Sequence, residues 1–568
     1  MNSNQAVAAP LEDPLYYLAN FEHVLAWVAE RHGDLLSDVE HAFLALFAGL
    51  PLGSRALLVR MVMRKGEHFR PSRLVYPEID AEIGNTESAL APLVAAGLVE
   101  EAPVLDVATL FTQLRLTELR QALAAEIAEA GLPATVGKGA LREALLARGL
   151  MPRPLSAWWP EAPERVVRVC IMASCDRLRL MFFGNLRQDW SEFVLAELGH
   201  QRFEAVAFGA DSRAFHRRDE VDAYLALHDL RRRLEGGEAP VDLAEALPAR
   251  PDNPWLASRH ARLCLALGRR AERDGMAELA STLYRRAGWP APEASGEGRI
   301  RYLRLAERQG RWRQALILAE PLARVTRDDV EAQVLGRLLT RLRRRLSLVP
   351  ETSAPEPAPE RFTLHLPGPS RVEQTVREHL HREAAPVHYV ENTLLTGLFG
   401  LLCWEALFTP LPGAFFHPFQ SGPADLYRDD FVTRRRDHFK ACLARLDDGR
   451  YRRTILATWR DKQGIANPFV HWEALDEALL TQALACIPPA HLRICFDHLL
   501  SNLRANRAGL PDLIQLFLEA SPGEPRYRLI EVKGPGDRLQ DNQRRWMTLF
   551  HRHEIPAAVC HLEWVRER

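Results

Sequence analysis

The sequence predicts a multidomain protein with a mostly α-helical N-terminal two-thirds and a C-terminal α/β domain, and three observations carry this prediction. The chain has 568 residues, too many for a single hydrophobic core, so several domains are expected. Apolar residues recur at helical spacing through 11–105 and 255–346. Near the C-terminus, two apolar strand-like runs at 513–518 and 527–532 flank a Ser-Pro-Gly turn signal at 521–523.

The composition restricts the class of protein and of partner. Apolar residues make up 47% and charged residues 26% of the chain, which are ordinary values for a globular protein. The formal net charge is −1, so any surface for nucleic acid must be local. We find no apolar run that could span a bilayer and no secretory signal, so no membrane partner is expected. The eight cysteines lack CxxC pairs, which indicates reduced thiols, a cytoplasmic location (nucleoid-associated in a bacterium) and no zinc module.

The first two predicted domains are a helical, winged-helix-like domain at 1–110 and a SAP-like region at 111–250. Helical spacing begins at Tyr16, and a helix ending in Ala-Gly-Leu-Val at 96–99 is common in winged-helix-like folds. Two short helical segments around a Gly-Leu-Pro turn at 131–133 resemble a SAP-type DNA-binding hairpin, with Lys138 and Arg142 as candidate phosphate contacts. A plain helical hairpin is the alternative. The run at 178–183 is β-like.

A tetratricopeptide-like helical domain is predicted at 251–348. Small residues at helical spacing around Gly310 are typical of one such hairpin. Between Arg299 and Arg345 there are 13 arginines against 5 acids, an excess of 8 positive charges in a chain of net charge −1. Guanidinium groups suit phosphate, and the candidate DNA contacts here are Arg341, Arg343 and Arg344. A solvated helical face balanced by distant acids is the alternative. A Pro-rich linker at 349–362 then marks the clearest domain boundary.

Beyond the linker, the final domain at 363–568 contains an acid–acid–lysine pattern. Asp512 opens the first strand-like run, and Glu531 and Lys533 close the second. Strand alternation places Glu531 and Lys533 on one face, and pairing of the two strands would bring Asp512 near them. Carboxylate oxygens beside an ammonium suit a hard divalent cation.

The pattern resembles the PD-(D/E)xK nuclease motif, and its fuller string resembles the VRR-NUC version. The matching residues are Gly-Leu-Pro-Asp-Leu at 509–513, Glu-Val-Lys-Gly-Pro-Gly-Asp-Arg-Leu at 531–539, Gln543 and Trp546. Upstream, Glu391 precedes a nearly continuous apolar helix, a string that resembles the opening helix of the Fanconi-associated nuclease family. Further matches follow in that family's order at 419–427, 430–436, Trp459 and Trp472. No Cys/His cluster corresponds to an N-terminal ubiquitin-binding zinc finger, so the likeness is to a bacterial form without it.

The resemblance implies a set of site residues. Glu391, Asp512, Glu531 and the Val532 carbonyl would hold Mg²⁺ or Mn²⁺, with two ions expected. Lys533 would position the attacking water or neutralise the phosphate, and Gln543 would support Lys533 or that water. Trp546 is interpreted as core packing, and Glu405 is the alternative to Glu391 as the third acid. Arg434, Arg435 and Arg538 are candidate phosphate anchors, with solvated faces as the alternative.

By the same resemblance, the protein is expected to be a structure-selective, metal-dependent DNA nuclease. The implied activities are 5′ flap endonuclease and 5′→3′ exonuclease, of the phosphodiesterase I type, in interstrand crosslink DNA repair. The partner would be branched or flapped duplex DNA, bound by a monomer or a dimer. Two alternatives stay open: a four-way-junction resolvase or restriction-type endonuclease on the same fold, and a DNA-binding scaffold with an inactive nuclease fold.

Overall fold

The structure is a computed structural model that describes residues 13–76, 85–133, 135–190, 202–209, 212–289, 296–326, 329–348, 359–368, 371–428 and 430–565. The chain divides into two compact units. The first comprises Met1–Gln201 and Arg213–Val221, and the second comprises Arg202–Ser212 and Asp222–Arg568. Each unit is described by itself. Most of the predicted linker, 349–358, lies outside the described residues.

The first unit is mainly helical, as predicted. Its helices are α1 (Tyr16–His32), α2 (Asp38–Gly49), α3 (Leu52–Val62), α4 (Thr86–Ala95), α5 (Val107–Gln113), α6 (Leu116–Ala122), α7 (Ala124–Glu129), α8 (Lys138–Leu146), α9 (Leu155–Trp158) and α10 (Met172–Phe183). Its described residues also form the short strands β1 (His68–Phe69), β2 (Val99–Glu100), β3 (Val104–Leu105), β4 (Arg153–Pro154) and β5 (Val167–Val169). They form a three-stranded sheet of order β1-β5-β2 and a two-stranded sheet of β3 and β4. The helix predicted before the Ala-Gly-Leu-Val segment is α4, and β2 follows it.

One expectation for the first unit is wrong. The run Leu178–Phe183, interpreted as β-like, is the C-terminal half of α10. Leu178, Leu180, Met181, Phe182 and Phe183 are all fully buried, and Arg179 is the one polar residue of this half of the helix. This half therefore lacks the repeated polar positions of a surface helix. A short, continuous apolar run has no periodicity that separates a buried helix from a strand.

The second unit begins with stacked helical hairpins. Their helices are α11 (Arg218–Glu235), whose first turn belongs to the first unit, α12 (Pro240–Glu245), α13 (Pro254–Arg273), α14 (Ala277–Gly288), α15 (Gly296–Arg308), α16 (Trp312–Val325) and α17 (Asp329–Arg345). Gly310 has a φ of +75° in the turn between α15 and α16, the conformation that glycine adopts most readily. The predicted hairpin turn is therefore confirmed. Leu303, Ala306 and Ala315 have no exposed surface in the core of this stack.

The C-terminal part of the second unit is α/β. Its helices are α18 (Val372–Leu380), α19 (Leu394–Leu402), α20 (Trp404–Leu407), α21 (Phe431–Arg434), α22 (Arg436–Asp447), α23 (Tyr451–Asp461), α24 (Glu477–Cys486), α25 (Pro489–Ser501), α26 (Leu503–Asn506) and α27 (Asp541–Arg552). Its strands are β6 (Glu360–Pro367), β7 (Val387–Tyr389), β8 (Leu513–Leu516), β9 (Tyr527–Lys533) and β10 (Ala557–Val565). They form one sheet of order β6-β10-β9-β8-β7.

The sheet is mixed and covered on two sides. Strand β10 is parallel to β6 and β9, whereas β8 is antiparallel to both β9 and β7. Every residue of α19 is buried, and this helix belongs to the large core that contains Ile514 and Leu529. A smaller core contains Ile530 from the sheet and Val376 from α18. The buried helix predicted after Glu391 is thus confirmed, and β6 shows that strand structure begins inside the predicted linker range, at Glu360.

Two further sequence-based expectations concern membranes and thiols. No single helix among the described residues is long and apolar enough to cross a bilayer; α24 and α25 pass that test only as a pair, bent by 108°. All eight cysteines are free thiols, as expected from the absence of CxxC pairs.

Candidate active site

The register of β8 and β9 brings the first acid to the second. Leu513 lies opposite Ile530 in this antiparallel pair, so Asp512, one residue before β8, is adjacent to the end of β9. The Val532 N–H donates to Asp512 Oδ2 over 2.7 Å. The convergence expected from strand pairing is therefore present.

Alternation along β9 places the second acid and the lysine on one face. Lys533 Nζ lies 2.8 Å from Glu531 Oε1, and the same oxygen accepts a hydrogen bond from Gln543 Nε2 over 2.6 Å. Asp512, Glu531 and Lys533 are all buried. A charged group stripped of water needs partners of opposite charge or hydrogen-bond donors, which this arrangement supplies in part.

The position of Gln543 follows from the N-terminus of α27. Its Oε1 accepts a hydrogen bond from the Gln540 N–H over 2.9 Å, in a capping box that leaves Nε2 free to point at Glu531. One turn later, Trp546 donates from Nε1 to the Asn506 carbonyl and is 1% exposed. Trp546 is therefore a core residue, as interpreted from the sequence.

The acid pair is short of positive charge. Burial raises the pKa of Asp512 above its ordinary range, and the negative charge of Glu391 adds to that effect. Burial and then the charge of Asp512 likewise raise the pKa of Glu531, against the opposing pull of Lys533. Glu531 Oε2 is buried and has no hydrogen-bond partner among the described residues. These observations fit a site that a cation completes.

The third acid reaches the cluster from the other side. The Val390 N–H donates to the Asp512 carbonyl over 2.8 Å, so the chain leaves the edge of the sheet at Glu391. The exposed Glu391 carboxylate accepts from Tyr389 Oη at Oε2, and from Asn392 Nδ2 at Oε1 over 3.2 Å. By contrast, Glu405 is 70% exposed and pairs with Arg445 at 2.7 Å. The geometry favours Glu391 over Glu405 as the third acid.

The side chains of the three acids do not converge on a single point in the structure. Within the described ranges, no group of three His, Cys, Asp or Glu side chains already has metal-ligating geometry. Glu391 acts on Asp512 and Glu531 through its charge, while its own oxygens are held by Tyr389 and Asn392. The ligand set Glu391, Asp512, Glu531 and the Val532 carbonyl accordingly remains a prediction.

Several predicted DNA contacts are engaged elsewhere. Arg435 is fully buried and forms two hydrogen bonds with Asp425, so it is a structural residue and its assignment as a phosphate anchor is corrected. Arg434 bonds the same carboxylate and the Pro412 carbonyl. A buried carboxylate neutralised by two guanidinium groups explains why these arginines occur together.

The arginine-rich stretch is also partly neutralised. Arg341 pairs with Glu307 through two 2.8 Å hydrogen bonds, and Arg343 pairs with Glu320 at 3.0 Å. Arg344 is exposed, and the part of the chain that the structure describes contains no ion pair for it. Arg308 also pairs with Glu272, and Arg337 pairs with Asp541 at 3.0 Å. Because these two acids lie outside 299–345, the local excess of positive charge is smaller in space than the count along the sequence implies.

The remaining candidate DNA contacts differ in whether their side chains already form hydrogen bonds within the protein. Lys138 begins α8 and donates to the Leu114 carbonyl over 3.0 Å, so its ammonium also stabilises the helical hairpin. Arg142 and Arg538 are exposed. None of these positions is paired with an acid in the described ranges, so each keeps a charge that can meet phosphate.

Two residues that touch the acids were missed from the sequence. Tyr389 ends β7 and Asn392 follows Glu391 directly, and both donate to its carboxylate. A tyrosine and an asparagine next to an acid are too common to signal such a role. The only available signal was their adjacency to Glu391.

Comparison with known proteins agrees with this fold. Three family models match: the FAN1 HTH domain over residues 15–100, the Fanconi anemia-associated nuclease SAP domain over 104–158, and the VRR-NUC domain over 446–564. The α/β domain with its acid–lysine cluster is therefore that of a VRR-NUC nuclease. The SAP-like hairpin and the helical N-terminal region are confirmed as well.

Individual relatives extend the likeness over the whole chain. The chain is 49% identical to a Fanconi-associated nuclease 1 homolog of Pseudomonas aeruginosa, over 98% of this chain and 97% of that protein. It is 31% identical to human Fanconi-associated nuclease 1 over 30% of this chain and 17% of the human protein. A crystal structure of paFAN1 bound to 2-nucleotide 5′ flap DNA with a gap superposes with a TM-score of 0.89 at 48% identity, covering 99% of this chain and 100% of that one. The chain belongs to the Fanconi-associated nuclease family.

Proposed function

We propose that this nuclease is a metal-dependent, structure-selective phosphodiesterase that cuts 5′ flap DNA and degrades DNA from a 5′ end. The observation that carries the proposal is the cluster of buried Asp512, Glu531 and Lys533 at the ends of β8 and β9, joined by Gln543 from α27. The related paFAN1 has been crystallised with 5′ flap DNA, which supports this class of substrate. Interstrand crosslink repair is the biological role proposed, as the family name suggests.

The donor set fits a divalent cation. Among the described residues, the buried Glu531 Oε2 has no hydrogen-bond partner, and burial raises the pKa values of Asp512 and Glu531. With Glu391 they would offer carboxylate oxygens to Mg²⁺ or Mn²⁺, and the Val532 carbonyl would add another ligand. We propose two ions. Bound there, the cations would lower the pKa of a water nucleophile and stabilise charge on the leaving oxygen.

The chain's own side chains divide the remaining work. Lys533 Nζ, already 2.8 Å from Glu531 Oε1, is proposed to orient the attacking water or to neutralise charge that develops on the phosphoryl oxygens. Gln543 is proposed to keep Glu531 in place, because its amide is held from behind by the Gln540 N–H. Burial of the cluster excludes bulk water and strengthens each of these interactions.

Selection by DNA shape would come from contacts to phosphate. Such contacts position the protein on DNA without reading bases, so specificity would be for junction geometry. The exposed Arg344, Arg538 and Arg142 are the strongest candidates, with Lys138 next. The domain boundaries and a monomeric or dimeric state on DNA are proposed as expected from the sequence, as is action in the compartment that holds the DNA.

The test is cleavage of an end-labelled 5′ flap duplex beside a four-way junction, in Mg²⁺ and in Mn²⁺, with the mass of each complex measured. The proposal predicts cuts near the flap junction that chelation of the metal abolishes. Symmetric cutting of the four-way junction by a 2:1 complex, without flap cleavage, would favour a resolvase. Firm binding without cleavage of either DNA would favour a scaffold.

A further inference from the structure

Asn392 connects the two segments that carry Glu391 and Asp512. Its Oδ1 accepts a hydrogen bond from the Leu510 N–H over 3.2 Å, and its Nδ2 donates to Glu391 Oε1 over 3.2 Å. Leu510 is two residues before Asp512, and Pro511 between them has no N–H to offer. One amide therefore contacts the loop that leads into β8 and the carboxylate that faces it.

The backbone at Asn392 is held in an unusual conformation. Its φ is +52°, in the left-handed region that side chains other than glycine and asparagine rarely adopt. Thr396 Oγ1 donates to the Asn392 carbonyl over 2.8 Å, and Thr396 is buried in the first turn of α19. The surrounding structure thus determines this conformation, which aims the amide between Glu391 and Leu510.

Glu391 needs such support because it is exposed. A glutamate side chain has three free torsions and loses conformational entropy when it is fixed. Asn392 holds one oxygen of this carboxylate and Tyr389 holds the other. Asp512 and Glu531, in contrast, are fixed by burial and by the strands that carry them.

We propose that Asn392 is a positioning residue that sets the affinity of the acid cluster for a divalent cation by fixing Glu391 relative to the Asp512 loop. This inference rests on the proposed function, since it assumes that these acids bind metal. Loss of a hydrogen bond to a metal ligand typically lowers metal affinity about 10- to 100-fold.

The test is to titrate the DNA-free, full-length protein with Mn²⁺ alone and to measure the binding by isothermal titration calorimetry. Asn392→Gly removes both hydrogen bonds and keeps the left-handed backbone, which glycine adopts without strain. Glu554→Gly is the matched control, because exposed Glu554 has a φ of +55° in the turn after α27. We expect at least about tenfold weaker Mn²⁺ binding for Asn392→Gly, wild-type affinity for Glu554→Gly, and similar melting temperatures for both.

A double-mutant cycle identifies the residue through which Asn392 acts. In a Glu391→Gln background, Asn392→Gly should weaken Mn²⁺ binding by less than about twofold, because no carboxylate remains to be positioned. The same tenfold loss in both backgrounds would contradict the inference, as would wild-type affinity in the single variant. If wild-type protein bound no Mn²⁺, the proposed metal site would fail and this inference with it.

Discussion

At the scale of single residues, the two buried carboxylates make the stability of the metal-free protein depend on pH. Burial raises both pKa values, and the charge of Glu391 adds to the effect on Asp512 as the charge of Asp512 adds to the effect on Glu531. The folded state therefore holds protons more tightly than the unfolded chain. The resulting stabilisation of the folded state is complete below the ordinary carboxyl pKa of about 4 and is lost as pH rises through the raised pKa values. The site is therefore a source of instability at neutral pH until a cation occupies it.

Asp512→Asn should accordingly stabilise the metal-free protein, and more at high pH. The asparagine keeps an acceptor for the Val532 N–H while it removes one charge, so we expect a gain of about 2 kcal/mol near pH 8 that shrinks near pH 5. Thermal unfolding in chelator at the two pH values measures this difference. Added Mn²⁺ should raise the melting temperature of wild type and have little effect on the variant. An equal shift at both pH values would contradict the electrostatic cause.

Arg435 provides a separate stability prediction. Arg435→Met should lower the free energy of unfolding by about 3–5 kcal/mol, because it leaves buried Asp425 with only one cation. Arg434→Met is the matched control, because Arg434 contacts the same Asp425 carboxylate but its side chain is 26% exposed. This change should lower the free energy of unfolding by less. Denaturant unfolding compares the two. Equal, small losses would mean that the buried pair adds little to stability.

At the scale of elements, the loop before β8 depends on a close approach to α27. Gly509 has a φ of +89°, and an added Cβ would lie 2.8 Å from the backbone carbonyl carbon of Asn542. Asn542 is next to Gln543, so this contact joins the loop that carries Asp512 to the helix that supports Glu531. No side chain fits there without movement of one of the two elements.

Gly509→Ala should therefore impair catalysis as well as folding. We expect a loss of about 2–4 kcal/mol from strain and overpacking, together with a lower cleavage rate. Gly523→Ala is the control, because Gly523 has a φ of +95° but open space around its Cβ position, so only the conformational cost of about 1–2 kcal/mol applies. Unfolding and single-turnover cleavage of both variants give the comparison. Equal losses of stability with unchanged cleavage would show that the approach to α27 is unimportant.

Some of these elements could be predicted from the sequence and others could not. Strands β8 and β9, their pairing and the buried α19 were predictable, because turn residues and continuous apolar runs bound them. The segment 178–183 was misassigned, since a short apolar run fits a buried helix equally well. Strand β6 was not foreseen: it alternates exposed and part-buried residues at the sheet edge and follows directly on a proline-rich stretch.

At the scale of the whole molecule, charge along the chain proved a poor guide to charge in space. The arginine excess at 299–345 is reduced by acids outside that stretch, such as Glu272 beside Arg308 and Asp541 beside Arg337. Such pairings depend on tertiary contacts that spacing in the sequence does not reveal. The acid–lysine cluster was predictable for the opposite reason, because one strand pair with a two-residue period determines it.

DNA binding should reflect this difference between free and paired arginines. Arg344→Ala should lower the slope of log affinity against log salt by about 1, as expected for one phosphate contact. Arg343→Ala, at a side chain only 14% exposed and paired with Glu320, should leave the slope unchanged. Binding of flap DNA measured over a range of salt concentrations tests both. An unchanged slope for Arg344→Ala would remove this helix from the DNA footprint.

Single-turnover cleavage of a 5′ flap duplex at saturating Mn²⁺ distinguishes Glu391 from Glu405 as the third acid of the site. Glu391→Gln should reduce the cleavage rate at least about a hundredfold, because the change removes a proposed metal ligand. The affinity for flap DNA should stay the same, because no phosphate contact is lost. Glu405→Gln, which disturbs only a surface pair with Arg445, should cleave at the wild-type rate. Normal cleavage by Glu391→Gln, or loss of cleavage in Glu405→Gln, would contradict the site described.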